Sequence, residues 1–192
     1  MVQNEIPLKT TIDSFNKSPK FDIVKKTQSI LQAKGFSHVY SIRGDGNCFI
    51  RCLVIYLWNS LNKNLFFDTF SSFIDLDKLL KFIEHGLSEH VLEFICIKIR
   101  SNVQSKWDYH DIPIECQMDE NAICGKAQEM VMRILGVERF TGYSLIPDSN
   151  ESIEFGHLVD KSMLFFNSGT HHIHLLCEHG RNHFSLLKML NE

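Results

Sequence analysis

The chain of 192 residues is 44% hydrophobic and 22% charged, which is the balance of a globular protein with one ordinary core. Its net charge of −3 argues against a protein that binds nucleic acid by neutralising phosphates. Its longest apolar run, residues 49–58, is interrupted by Arg51 and is too short to span a bilayer, so we expect no membrane partner either.

Helices are predicted for most of the first two thirds of the chain. Capping polar residues, apolar residues at helical spacing and terminating glycines predict helices at residues 22–35, 49–61, 68–86, 88–100 and 119–136. The helix at 49–61 is apolar on nearly every face, which is typical of a helix buried through the middle of a domain. Residues 101–118 are predicted to form an irregular connector.

The pattern changes to strands in the last third. Strands are predicted at residues 140–146, 152–159, 163–167, 171–177 and 183–190, separated by turn-forming residues. Helices first and strands later predict an α+β fold, in which helices flank a small, mostly antiparallel sheet. Because we find no repeat, no low-complexity segment and no linker, we expect a single domain over residues 1–192.

The thiols are expected to be reduced. Six cysteines are spread along the chain without paired spacing, and a chain of this size does not need disulfides to fold. The N-terminal residues are polar and lack the apolar segment of a secretory signal. These features favour a cytoplasmic protein.

Cys48 is the first candidate for a chemical role. It follows a turn-prone run that contains Gly44 and Gly46, and it stands at the start of the apolar helix. A thiol at a helix N-terminus lies at the positive end of the helix dipole, which favours the thiolate. The glycines allow backbone N–H groups to turn toward a carbonyl oxygen, as an oxyanion hole requires. The alternative is a structural cysteine that begins a core helix after a tight turn.

His183 is the matching candidate for a general base. It begins the last predicted strand, directly after a turn that contains Gly180, so it should lie at the rim of the sheet. An imidazole at such a position can activate a cysteine nucleophile. A lone histidine is more often structural, and the pair therefore has to be judged together.

The run Asp45-Gly46-Asn47-Cys48-Phe49 resembles the nucleophile motif of the ovarian-tumour (OTU) family of cysteine peptidases. Residues 173–184, which end in His183-Phe184, resemble the strand pair that carries that family's catalytic histidine. Within the family the chain is most similar to otubains, since Tyr40-Ser41-Ile42-Arg43 leads into the motif and a helical insertion, roughly residues 64–118, follows the nucleophile helix. A polar and acidic stretch, residues 115–119, then precedes the next helix.

This resemblance implies a papain-like fold and a deubiquitinase. The substrate would be ubiquitin or polyubiquitin, cleaved at the carbonyl of ubiquitin's C-terminal glycine, or a ubiquitin-like modifier. The resemblance also implies that Cys48 is the nucleophile, that His183 is its base, and that the main-chain amides of Asp45 and Cys48 form the oxyanion hole. No cofactor is implied.

Ser185 departs from the family pattern. Many members carry Asp or Asn two residues after the catalytic histidine, on the same face of the strand, where it orients the imidazole. A serine hydroxyl can accept one hydrogen bond but supplies no charge. Either Ser185 performs this role more weakly, or an acid from elsewhere reaches His183, with Asp13 and Asp22 as candidates.

Two rival interpretations remain. A histidine-rich stretch that runs from His171 to His183 and includes Cys177 suggests a zinc site, although it lacks the paired ligand spacing of structural zinc. The other rival is a protein with the same fold that acts as a catalytically weak ubiquitin-binding module. Ser185, in place of the Asp or Asn of the family pattern, supports this interpretation.

Overall fold

The computed structural model describes residues 9–11, 22–44, 46–106, 126–145, 151–165, 171–178 and 183–190; for residues 9–11, 22–27, 106, 145 and 178 it describes the main chain alone. The helices are α1 (Asp22–Ala33), α2 (Cys48–Ser60), α3 (Lys63–Phe70), α4 (Leu76–His85), α5 (Glu89–Lys106) and α6 (Lys126–Leu135). The strands are β1 (Lys9–Thr11), β2 (Phe36–Tyr40), β3 (Arg139–Leu145), β4 (Ser152–Leu158), β5 (His172–Glu178) and β6 (His183–Met189). None of these helices combines the length and hydropathy needed to cross a membrane.

The strands of the described residues form one sheet in the order β1-β2-β6-β5-β3-β4. Every neighbouring pair is antiparallel except β3 and β5, which run parallel. The expected α+β fold with a mostly antiparallel sheet is therefore confirmed. The C-terminal strand β6 lies in the middle of the sheet, between β2 from the first quarter of the chain and β5.

Helix α2 forms the centre of the larger core. From Cys48 to Leu57 every residue except Tyr56 is buried, as the apolar sequence predicts. Phe49 packs edge-on against Phe140 and Phe184, with ring centroids 5.4 and 5.6 Å apart, and so seats α2 on β3 and β6. A smaller core, containing Leu31 of α1, covers the opposite face of the sheet.

Two predicted elements are wrong. The helix expected at residues 68–86 is two helices, because Asn62 and Asp75 each cap a separate one by accepting a hydrogen bond from a main-chain N–H three residues later. The strand expected at 163–167 is also not formed in its described part. Residues 161–163 make a 3₁₀ turn instead, because the Asp160 carboxylate accepts hydrogen bonds from both the N–H and the hydroxyl of Ser162, at 2.8 Å each.

Other boundaries shift or were missed. Helix α5 runs to Lys106, so the first part of the connector expected at 101–118 is helical, and residues 107–118 lie outside the described residues. The start expected for the helix at 119–136 also lies outside them, and its end is confirmed, since Gly136 follows α6 with φ of 69°. Strands β1 and β2 were not predicted.

Candidate active site

Cys48 is the first residue of α2 and is buried, with 6% of its surface exposed. The preceding turn depends on Gly46, whose φ of 78° is a left-handed conformation that favours glycine. The Cys48 thiol therefore stands at the positive end of a 13-residue helix dipole, as the sequence predicts. Asp45 lies outside the described residues, so its part in an oxyanion hole stays a prediction.

The turn before Cys48 is held by α5. The Arg100 guanidinium donates from Nε to Oδ1 of Asn47, at 3.0 Å, and from Nη2 to the main-chain oxygen of Gly46, at 2.9 Å. Asn47 occupies the N-cap position of α2, but its side chain accepts no hydrogen bond from the first turn of the helix. Sequence reasoning missed Arg100, because no pattern in the sequence pairs a residue of α5 with this turn.

His183 begins β6 and lies beside the segment that leads to Cys48. A Cβ atom built on Gly44 would be 3.5 Å from Nδ1 of His183, so the imidazole packs against the Gly44 main chain. The Cys52 thiol, one turn along α2 from Cys48, donates to the main-chain oxygen of Phe184 at 3.7 Å. The first turn of α2 and the start of β6 therefore meet at the same end of the molecule.

Ser185 is buried, with 3% of its surface exposed, and lies on the same face of β6 as His183, since side chains alternate along a strand. In the register of β5 and β6, the Cα atom of His183 is opposite that of Glu178. Asp13 and the side chain of Asp22 lie outside the described part of the chain. The group that orients His183 therefore stays a prediction.

The thiols near the start of α2 differ in environment. Burial raises the pKa of the Cys52 thiol well above its ordinary value, and the neighbouring thiols Cys48 and Cys96 act in the same direction. Cys52 and Cys96 are fully buried. A thiol in such a position stays protonated and inert, so Cys52 is a structural residue, as expected of a helix core position.

The histidine-rich stretch divides between the two faces of the sheet. His172 and His174 lie side by side, with ring centroids 4.3 Å apart, and are hydrogen-bonded to Thr141 and Tyr143 of β3. His171 instead contacts Tyr56 of α2. In the described ranges no three His, Cys, Asp or Glu side chains are grouped as metal ligands, and His179 lies outside these ranges.

Comparison with known families then decides what the chain is. The family described as "Peptidase C65 Otubain" matches residues 1–121, which include the whole Cys48 turn and α2. The chain belongs to the otubain peptidase family. Among curated proteins, none is similar enough in sequence to be matched. The expected resemblance to otubains is thus confirmed.

Solved otubain structures have the same fold. The chain is similar to "The structure of h/ceOTUB1-ubiquitin aldehyde-UBCH5B~Ub", with a TM-score of 0.54, 14% identity, and coverage of 98% of this chain and 92% of that chain. It is also similar to "The structure of a ceOTUB1 ubiquitin aldehyde UBC13~Ub complex", with a TM-score of 0.55, 13% identity, and coverage of 95% and 92%. The expected papain-like fold of OTU domains is confirmed.

Iodoacetamide is expected to alkylate Cys48 well before Cys52 or Cys96. Cys48 begins a helix beside a turn that reaches the surface, whereas burial keeps the Cys52 thiol protonated. Mass spectrometry of peptides after brief exposure gives the order of labelling. Cys52→Ala should leave the labelling of Cys48 unchanged and serves as the control. Faster labelling of Cys52 than of Cys48 would contradict this assignment.

His174 should make the fold sensitive to acid. Burial lowers the pKa of His174 from the ordinary 6.5 to about 4, with His172 and Arg139 acting in the same direction. Between these values the unfolded chain binds a proton that the folded chain does not, so the free energy of unfolding should fall as the pH falls from 6.5 to 4. His174→Gln should flatten this slope in denaturant unfolding. Equal slopes in both proteins would contradict the burial effect.

Proposed function

We propose that this otubain-family protein is a deubiquitinase that hydrolyses the bond at the C-terminal glycine of ubiquitin, with Cys48 as nucleophile and His183 as general base. One observation carries the proposal. In the fold of a cysteine peptidase family, the segment that leads to Cys48 and the first turn of its buried helix lie beside the start of the central strand that His183 opens.

The reaction is acyl transfer in two steps. His183 accepts the proton of the Cys48 thiol, and the thiolate attacks the glycine carbonyl carbon. An S–C bond forms, the C–N bond to the lysine amine breaks, and His183 gives its proton to the departing amine. Water then adds to the thioester while His183 takes its proton, the C–S bond breaks, and the free carboxyl of ubiquitin is released as the thiol is regenerated.

The oxyanion formed in each step needs N–H donors. The Cys48 main-chain amide stands at the N-terminus of α2, where the helix dipole favours a negative charge, and we assign a second donor to the Asp45 amide. This assignment is inferred from the otubain family pattern. It accounts for a glycine at position 46, because the turn has to aim main-chain amides at one point.

Ubiquitin is the proposed partner. Both solved otubain structures named above are complexes with ubiquitin aldehyde and a ubiquitin-charged second protein. We treat residues 1–192 as one catalytic domain and propose that the helical insertion, residues 64–118, provides part of the ubiquitin-binding surface. A ubiquitin-like modifier is the alternative substrate.

A second candidate function is a catalytically weak ubiquitin-binding module. The observation that favours it is Ser185, which is buried on the face of β6 that also carries His183 and supplies no negative charge. The retained Cys48 and His183 favour the enzyme. Cys–His pairs also depend less on a third member than Ser–His pairs, because a thiolate forms more readily than an alkoxide.

Ubiquitin that carries an electrophile in place of its C-terminal carboxyl should become covalently attached to Cys48. The adduct reports thiolate reactivity and correct placement of the ubiquitin tail together, and it should form more slowly at low pH, since a protonated thiol is a poor nucleophile. Gel electrophoresis and peptide mapping detect it. Cys48→Ala should abolish the adduct, His183→Ala should slow its formation, and Cys52→Ala should behave like wild type.

Reversible binding of ubiquitin without any adduct over hours would support the binding module and overturn the enzyme. Labelling by a generic thiol reagent but not by the ubiquitin probe would point to a different substrate. The same probe chemistry on ubiquitin-like modifiers then decides whether such a modifier is that substrate.

Substitutions at Ser185 test the third member of the site. If Ser185 orients His183, Ser185→Ala should lower the rate of ubiquitin cleavage about tenfold, the effect of losing one neutral hydrogen bond, and Ser185→Asp should match or exceed wild type. Ser60→Ala, at the exposed end of α2, is the control. No change in either Ser185 variant would contradict the role and direct attention to Asp13, Asp22 and Glu178.

A further inference from the structure

One edge of the Arg100 guanidinium is hydrogen-bonded to the turn before Cys48. The Nε and Nη2 groups point in the same direction, and they donate to Oδ1 of Asn47 and to the Gly46 oxygen, at 3.0 and 2.9 Å. This is the fork arrangement in which a planar guanidinium holds two acceptors at a set separation. A lysine ammonium, which is a point charge on a flexible stem, cannot reproduce it.

These contacts set the direction of the peptide between Gly46 and Asn47. In a trans peptide the C=O and N–H bonds point in opposite directions, and no cis peptide occurs in the described residues. Because Arg100 draws the Gly46 oxygen toward α5, the Asn47 N–H is aimed to the other side of the turn. Because the Asn47 side chain also bonds to Arg100, it does not cap the first turn of α2.

Helix α5 is itself fastened to α2 at a second point. Arg51, one turn after Cys48, is 1% exposed, and its Nη1 lies 2.5 Å from Oε1 of Glu89 at the start of α5. An ion pair with one fully buried partner is costly to break from the other side, because removing Glu89 would leave the buried Arg51 charge without compensation. The Arg100 guanidinium is therefore held in a set position relative to the N-terminus of α2.

We propose that Arg100 is a positioning residue for acyl transfer at Cys48, which holds the turn at residues 46–47 so that the main-chain amides beside this turn, that of Cys48 among them, face the developing oxyanion. This inference rests on the proposed function of Cys48 as an acyl-transfer nucleophile. Arg100 does not touch the substrate. It acts through Gly46 and Asn47, and its loss leaves the thiol in place but lets the amides turn away.

The test compares two reactions of the same sulfur. In acylation by p-nitrophenyl acetate, the thiol proton passes to His183, the S–C bond forms through a tetrahedral oxyanion, and the C–O bond breaks to release nitrophenolate. In alkylation by iodoacetamide, the sulfur displaces iodide and no oxyanion forms. Only the first reaction needs the oxyanion hole, and neither needs ubiquitin to bind.

Arg100→Lys and Arg100→Ala should lower the rate of acylation of Cys48 by about 10- to 100-fold, because misplacing an oxyanion donor should cost somewhat less than removing it. The alkylation rate of Cys48 should stay within about twofold of wild type, because alkylation forms no oxyanion. The control is Lys98→Ala, which removes a positive charge from the same helix. The Lys98 ammonium lies over the Phe94 ring, 5.5 Å from its centroid. Both reactions should proceed at the wild-type rate in this control.

Two kinds of outcome would overturn the proposal. Equal rates of acylation in wild type and both Arg100 variants would show that the turn does not depend on Arg100. An equal fall in acylation and alkylation, or loss of the thermal unfolding transition in the Lys variant as well as the Ala variant, would make Arg100 a residue of the fold. If the ester acylates the wild-type protein but the ubiquitin probe forms no adduct with it, the proposed substrate is overturned and the role of Arg100 stands.

Discussion

The burial of α2 against the sheet is the constraint on which the rest of the structure depends. All but one of the residues from Cys48 to Leu57 are buried, and each large apolar side chain among them contributes about 1.5–3 kcal/mol. The helix cannot slide along its axis without exposing them, so the core sets where its first residue stands. The contact of Phe49 with Phe184 in the same core sets where β6 begins. Cys48 and His183 are thereby positioned by packing, although they belong to opposite ends of the chain.

The same burial separates the proposed nucleophile from the thiols deeper in the core. Cys48, Cys52 and Cys96 belong to one core, but only Cys48 stands at the start of a helix, beside a turn that reaches the surface. One turn further into α2, the low dielectric favours the neutral thiol of Cys52, which donates to a strand carbonyl. Arg51 is the one charge that α2 carries into this core, and Glu89 compensates it. The proposed chemistry is thus confined to the end of the helix.

Membership of the otubain family is retained at low sequence identity. Identities of 13–14% accompany TM-scores of 0.54–0.55, because a fold requires apolar volume at the right positions more than it requires particular side chains. A catalytic site tolerates fewer substitutions than an apolar core, because its chemistry requires particular side chains. Under the proposed mechanism Ser185 is the departure from the family pattern that matters, since a hydroxyl can orient an imidazole but cannot stabilise its cationic form as a carboxylate does. A cysteine nucleophile tolerates this loss better than a serine would.

The sequence by itself determined the local features: the apolar helix after Gly46, the cysteine at its start, the histidine that opens the last strand, and the alternation of β6. These depend on neighbours in the chain, through dihedral preference, helical spacing and the two-residue period of strands. Only the tertiary structure decided the parallel pairing of β3 with β5 and the hydrogen bonds from Arg100 to the turn before Cys48. Each of these depends on which distant segment supplies the partner. A sequence pattern records that a side chain is polar or apolar, and it does not record which atom it will meet.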